Sequence, residues 1–226
     1  MAFRAGERAR AARGWGLLLG ALLLAGCGAT PEFTYVTNSA AHTYLKVPRS
    51  WQPIDQQAVE GAFGLDPAFS AADQGFWIAG YDAAATPSIS HLTGVDAPVP
   101  AVLVAVKDNP ASTRGQFSLD KLRDMVFPVS AAGRQRAADQ SAALGDFALF
   151  TDEVLTPGKG VHGVHVVYRY SFAGGPPQML DQTVYVNDDA SKVYMFLVRC
   201  STECYMQRQQ EINTVVSSFT VRESQP

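Results

Sequence analysis

Between Val161 and Phe172 the chain alternates. Val164, Val166, Tyr168, Tyr170 and Phe172 fall on one side, and His165, Val167, Arg169 and Ser171 on the other. A repeat of two is the pattern of a β-strand with one strongly buried face. Segments 146–155, 179–186 and 192–200 read as strands beside it. Upstream, 42–47, 75–81 and 100–107 do the same; Val102, Val104 and Val106 share one face, and Pro48 stops the first segment. The links between the later strands carry turn chemistry: Thr156-Pro157-Gly158-Lys159-Gly160, Gly174-Gly175-Pro176-Pro177 and Asn187-Asp188-Asp189. Links this short join consecutive strands as an antiparallel meander.

Helical spacing predicts two further elements. In 118–127, Ser118 is placed to cap, Asp120 falls in the first turn, and Phe117 and Leu122 stand as a hydrophobic staple. In 202–219, Tyr205, Gln209, Ile212, Val216 and Phe219 trace a mostly apolar stripe. Segment 55–63 reads as a third helix. Strands with apolar residues on both faces need cover on both. The expected fold class is therefore α+β, an antiparallel β-sheet meander flanked by helices on both faces.

The start of the chain is patterned differently. Arg4, Arg8, Arg10 and Arg13 are opposed only by Glu7, and an uncharged run of 11 residues follows from Trp15 to Ala25. As a helix that run spans about 17 Å, short of a hydrocarbon core of roughly 30 Å. A basic flank and a short apolar core form the pattern of a secretory signal. The run ends in Leu24-Ala25-Gly26-Cys27, which resembles a bacterial lipobox. The resemblance implies cleavage between Gly26 and Cys27 and a diacylglycerol on the Cys27 sulfur. Two long chains at one site anchor stably, where a single acyl chain holds only marginally. The expected divisions are a signal peptide at 1–26, a lipidated tether at 27–40, one domain at 41–221 and a tail at 222–226. The expected location is the extracytoplasmic face of the bacterial cell membrane.

Composition then narrows the partners. The 226 residues are 47% hydrophobic and 17% charged, which suits a folded domain. Net charge is −3. Of the 18 basic and 21 acidic residues, four and one lie in the first 26, so the remainder carries −6. Such a surface excludes general nucleic-acid binding and leaves the lipid as the membrane tether.

Three short motifs resemble PsbP-like domains. They are Tyr44-Leu45-Lys46-Val47-Pro48-Arg49-Ser50-Trp51, Ser118-Leu119-Asp120-Lys121-Leu122, and 212–221 with its Ser218-Phe219 exit. With the lipobox, the chain is similar to actinobacterial lipoproteins of the LpqN kind. The resemblance spans 42–221 and implies an α/β/α sandwich. It also implies an accessory or binding role, because these domains share no catalytic set. Segment 82–98, rich in Ala, Ser, Thr and Pro, matches no element of the family.

Cys200 and Cys204 remain after lipidation. Cys200 ends a strand and Cys204 opens the last helix, a spacing that allows a disulfide in an oxidising compartment. The competing reading is a reactive Cys204 thiolate near a helix N-terminus. His162 and His165 stand three apart on a strand, hence on opposite faces, and do not suit one metal ion. His42 and His91 are isolated, and Asp188-Asp189 reads as turn chemistry. No catalytic or nucleotide-binding signature is present, so no catalytic residue, metal or cofactor is assigned. Phe76, Trp77, Tyr81, Tyr168, Tyr170, Tyr185, Tyr194 and Phe196 concentrate on the strands, as core or as the wall of an apolar groove. The expected function is a non-enzymatic binding or accessory module of the envelope, with a protein or lipid partner. A carrier of an apolar ligand and an uncharacterised envelope enzyme are the alternatives.

Overall fold

The computed structural model describes residues 31–222 apart from 142 and 159. The signal peptide and the site at Gly26 and Cys27 lie outside the described residues. The elements run β1 (Phe33–Asn38), β2 (Thr43–Pro48), β3 (Gln52–Pro53), α1 (Gln56–Ala62), β4 (Phe76–Asp82), α2 (Ser90–Thr93) and β5 (Ala101–Asp108). A 3₁₀ turn at Ala111–Gln116 leads to α3 (Leu119–Arg123), α4 (Ala131–Gln140), β6 (Leu144–Gly158) and β7 (Val161–Phe172). The chain ends with β8 (Gln178–Asn187), β9 (Lys192–Ser201), α5 (Thr202–Gln207), α6 (Gln209–Val216) and β10 (Thr220–Val221).

Seven strands form one sheet in the order β3-β4-β5-β9-β8-β7-β6, every pair antiparallel. Strands β6 to β9 are the expected meander. The chain crosses from β5 to the far edge at β6 and returns strand by strand, so β9 ends in the interior beside β5. A second sheet, β1-β2-β10, is small.

Period-two alternation assigns the two faces. On one, Ile54, Val59 of α1, Leu92 of α2, Leu103, Tyr168 and Leu197 pack together. Leu122 of α3 covers Val164, Val184 and Val186 on that side. On the other, Tyr205 of α5 and Ile212 and Val215 of α6 pack on Val104, Phe196 and Val198, with Leu45 and Val47 of β2. The α+β sheet with helices on both faces is the fold observed.

The details depart from the sequence reading in four places. The segment 33–38 belongs to no tether: it pairs with β2 from Phe33↔Pro48 to Asn38↔Thr43, and Val36 is buried. The helix expected over 118–127 stops at Arg123. Ser118 caps its start by accepting from Lys121 N, and Asp124 turns the chain by accepting from Val129 N and Ser130 N, both at 2.7 Å. The helix expected over 202–219 bends at Arg208, whose φ of −112° and ψ of 19° leave the helical region. Backbone bonds Arg208 N to Cys204 O and Ile212 N to Arg208 O still cross the bend. Helix α4 went unread because it buries only Gly133 and shows no apolar stripe.

Candidate functional groove between the sheet and the C-terminal helices

Strand β8 carries an acid where an apolar residue would be ordinary. Asp181 sits mid-strand opposite Val167 and Val198 and is 2% exposed. A buried carboxylate needs partners. Its Oδ1 meets His165 Nε2 of β7 at 2.8 Å, and its Oδ2 accepts from the Tyr205 hydroxyl of α5 at 2.7 Å. The other imidazole nitrogen, Nδ1, faces Glu153 Oε2 of β6 at 3.7 Å. Three neighbouring strands and a helix are tied at one point.

The electrostatics follow. The hydrogen bond to Asp181, aided by the charges of Asp181 and Glu153, raises the His165 pKa against the opposing effect of burial. Burial, then Asp181, raises the Tyr205 phenol well above its usual range. Both ring nitrogens of His165 are turned to carboxylates, an arrangement that favours its charged form.

Above this floor lies a cavity of about 720 Å³. Tyr185 and Val167 line it from the sheet, Met206, Val216 and Phe219 from the helical side, and Phe150 from the edge strand. Two local devices shape it. A register shift between Leu149 and Thr151 lets both Phe150 and Thr151 line the cavity, the re-aiming that β-bulges provide. Gly163 lies opposite Tyr185, and a Cβ there would meet Val184 O at 2.0 Å and the Tyr185 ring at 2.9 Å. The Tyr185 ring in turn stacks on Phe219, centroids 6.0 Å apart.

The other singled-out residues divide between structure and surface. Tyr168, Tyr170, Tyr194 and Phe196 are core. Phe76, Trp77 and Tyr81 line a second cavity of about 710 Å³ beside β1, where Lys192 already pairs with Asp108. His162 faces Asp188 across 3.9 Å, away from His165. His91 is not isolated: its Nδ1 lies 2.7 Å from the buried Asp82, which also accepts from Ala84 N and Ser88 N and so folds the segment 82–98. Arg199, buried on the opposite face, donates to Leu92 O at 2.7 Å and to Gly94 O, pinning the same segment. Burial lowers its pKa to about 10.

Cys200 and Cys204, the pair expected from sequence, are both buried and are brought together at the strand-to-helix corner as thiols. Ser201 Oγ accepts from Cys204 N and folds the strand end onto the first turn of α5. The neighbouring Cys204 and burial push the Cys200 thiol up, and the same pairing lowers Cys204.

The His165–Asp181–Tyr205 grouping was not anticipated. The one signal for it is a charged residue inside the apolar strand 179–186, which demands a buried partner without naming it.

No protein-family model matches the chain, and no curated protein matches it. Solved structures do. Cyanobacterial PsbP (CyanoP) from Synechocystis sp. PCC 6803 superposes with a TM-score of 0.51 at 13% identity, covering 89% of this chain and 99% of that one. The fold is PsbP/Mog1-like. The Ran-binding protein Mog1p of Saccharomyces cerevisiae is similar at TM-score 0.43 and 8% identity, over 84% of this chain and 96% of its own. LpqN of Mycobacterium tuberculosis, involved in cell envelope biogenesis, is similar at 0.38 and 15%, over 84% and 90%. A shared fold leaves the ligand of the groove to its side chains. No described helix is long and apolar enough to cross a membrane.

Proposed function

We propose that this protein is a non-enzymatic binding module of the bacterial envelope. A diacylglycerol on Cys27 holds it at the extracytoplasmic face, and the groove between β6–β8 and α5–α6 is its binding site. The groove carries this reading: walls that mix Phe150, Met206, Val216 and Phe219 with Gln209, Asn213 and Ser217 stand over a floor whose histidine faces two carboxylates. Such a site recognises a partner more readily than it transforms one. The sequence resemblance to PsbP-like accessory domains supports the same role.

A second reading, a carrier of an apolar ligand such as a lipid, is favoured by Phe150, Met206, Val216 and Phe219 around the cavity. Its volume falls within the range of small-molecule sites, roughly 300–1,000 Å³.

A photoreactive residue at Met206, compared with one at the exposed Ala132 of α4, tests both in the native host. A protein adduct specific to position 206 supports the first reading, and a lipid adduct there the second. Equal yields at both positions overturn the groove as the site. Labelling with a radioactive fatty acid tests the anchor: the Cys27→Ala chain should take up none, and retained label removes the anchor.

A further inference from the structure

Among the described residues, strand β6 ends the large sheet and has a strand neighbour, β7, on one side only. Its segment 151–155 pairs without interruption, Thr151↔Val167 to Leu155↔Gly163, between two register shifts. A regular edge of this kind offers backbone N–H and C=O groups to an incoming strand. Edges are commonly blunted by lysine or proline, and 151–155 has neither. Instead Phe150 is 57% exposed and Val154 52%.

The edge and the groove are continuous, because Phe150, Thr151 and Leu155 line the cavity. Side chains of a strand added to β6 would alternate, and every second one would fall on the groove side beside Glu153. The charge there is one-signed. Among the described residues, no lysine or arginine lines the groove. Glu153 and Asp181 set two carboxylates around the one ring of His165, and the Glu153 side chain is 63% exposed.

We propose that the open edge of β6 and the groove beside it form one docking site for an extended segment of a partner protein. The segment pairs by β-addition to 151–155, places apolar side chains over the groove, and sets a lysine or arginine against Glu153. This rests on the groove reading above and names the class of partner. An anionic lipid headgroup would face the two carboxylates. A second copy of this chain, pairing β6 to β6, would bring Glu153 against its own kind, because β6 contains no basic residue and Asp152 is already held by Arg123.

The test uses the full-length chain held in nanodiscs. Phage-displayed random nonapeptides are selected on it, and enriched peptides are synthesised. The expected peptides carry a lysine or arginine among β-branched or aromatic residues, and they slow amide hydrogen exchange at 151–155. Glu153→Lys, on an exposed site that leaves the circular dichroism unchanged, should weaken them by at least about tenfold through like-charge repulsion. Enrichment without basic residues, protection confined to α5 and α6, or undiminished binding by Glu153→Lys overturns the proposal. So does failure to enrich any peptide. A lipid adduct at position 206 with no enriched peptide overturns this proposal alone. Equal crosslinking at 206 and 132 overturns the groove reading beneath it.

Discussion

The Tyr205 hydroxyl donates to Asp181 Oδ2 at 2.7 Å, and that bond fastens the first C-terminal helix to the middle of the sheet. Because α5 forms a wall of the groove, the bond sets the groove's width as well as stability. Tyr205→Phe leaves the buried Asp181 with His165 as its only side-chain donor. The variant should lose about 1–3 kcal/mol of stability. It should also exchange the α5 amides faster. Denaturant unfolding and hydrogen exchange read the two effects, and wild-type values in both would show that the bond holds nothing.

The same carboxylate makes the clasp pH-sensitive. The folded-state pKa of His165 is raised above the ordinary imidazole value of 6.5. The stabilisation is therefore fully present below about pH 6.5 and is lost as pH rises through the folded value. His165→Gln keeps a hydrogen-bonding side chain without the charge. The Tm difference between wild type and His165→Gln should be largest near pH 5.5 and shrink above neutrality. A difference that grows with pH would contradict the assignment.

Gly163 has a specific spatial reason to be glycine. A methyl group there would meet the Val184 carbonyl and the Tyr185 ring, whereas Gly145 has nothing within 4 Å. Gly163→Ala should cost about 3 kcal/mol. Gly145→Ala should stay within about 0.5 kcal/mol. Similar costs at the two positions, measured by chemical denaturation, would remove the packing argument.

Cys200 and Cys204 are neighbouring buried thiols, each shifting the other's pKa. In an oxidising compartment we expect them to close to a disulfide, so the chain recovered from the envelope should be lighter than its reduced form by two hydrogens. The loop between them is so short that its chain-entropy contribution should be small. The Tm should then change little on reduction. Intact mass with and without reductant decides it, and two free thiols in the envelope-derived chain would refute the bond.

Much of this molecule was legible as local pattern. The bounds of β7 at Val161 and Phe172, the cap at Ser118 and the helix over 56–62 with Asp55 as its cap all follow from residues a few positions apart. The arrangement of helices on both faces followed from apolar residues on both sides of the strands. The bend at Arg208 escaped the pattern, because the apolar stripe of α5 and α6 runs unbroken through it. Strand β1 escaped because its pairing partner, β2, supplies the reason to be a strand.

The sequence by itself determined β2 and the strands β4 to β9, the meander and the faces, because alternation and turn chemistry act over a few bonds. Only the tertiary structure decided that β9 would run in the interior, that β6 would be left as an edge, and that His165, Asp181 and Tyr205 would meet. His165 lies 16 residues and Tyr205 24 residues from Asp181. A buried carboxylate states in sequence that it must be paired. Which side chains pair it depends on strand order and register, and those are set by the packing of the whole sheet.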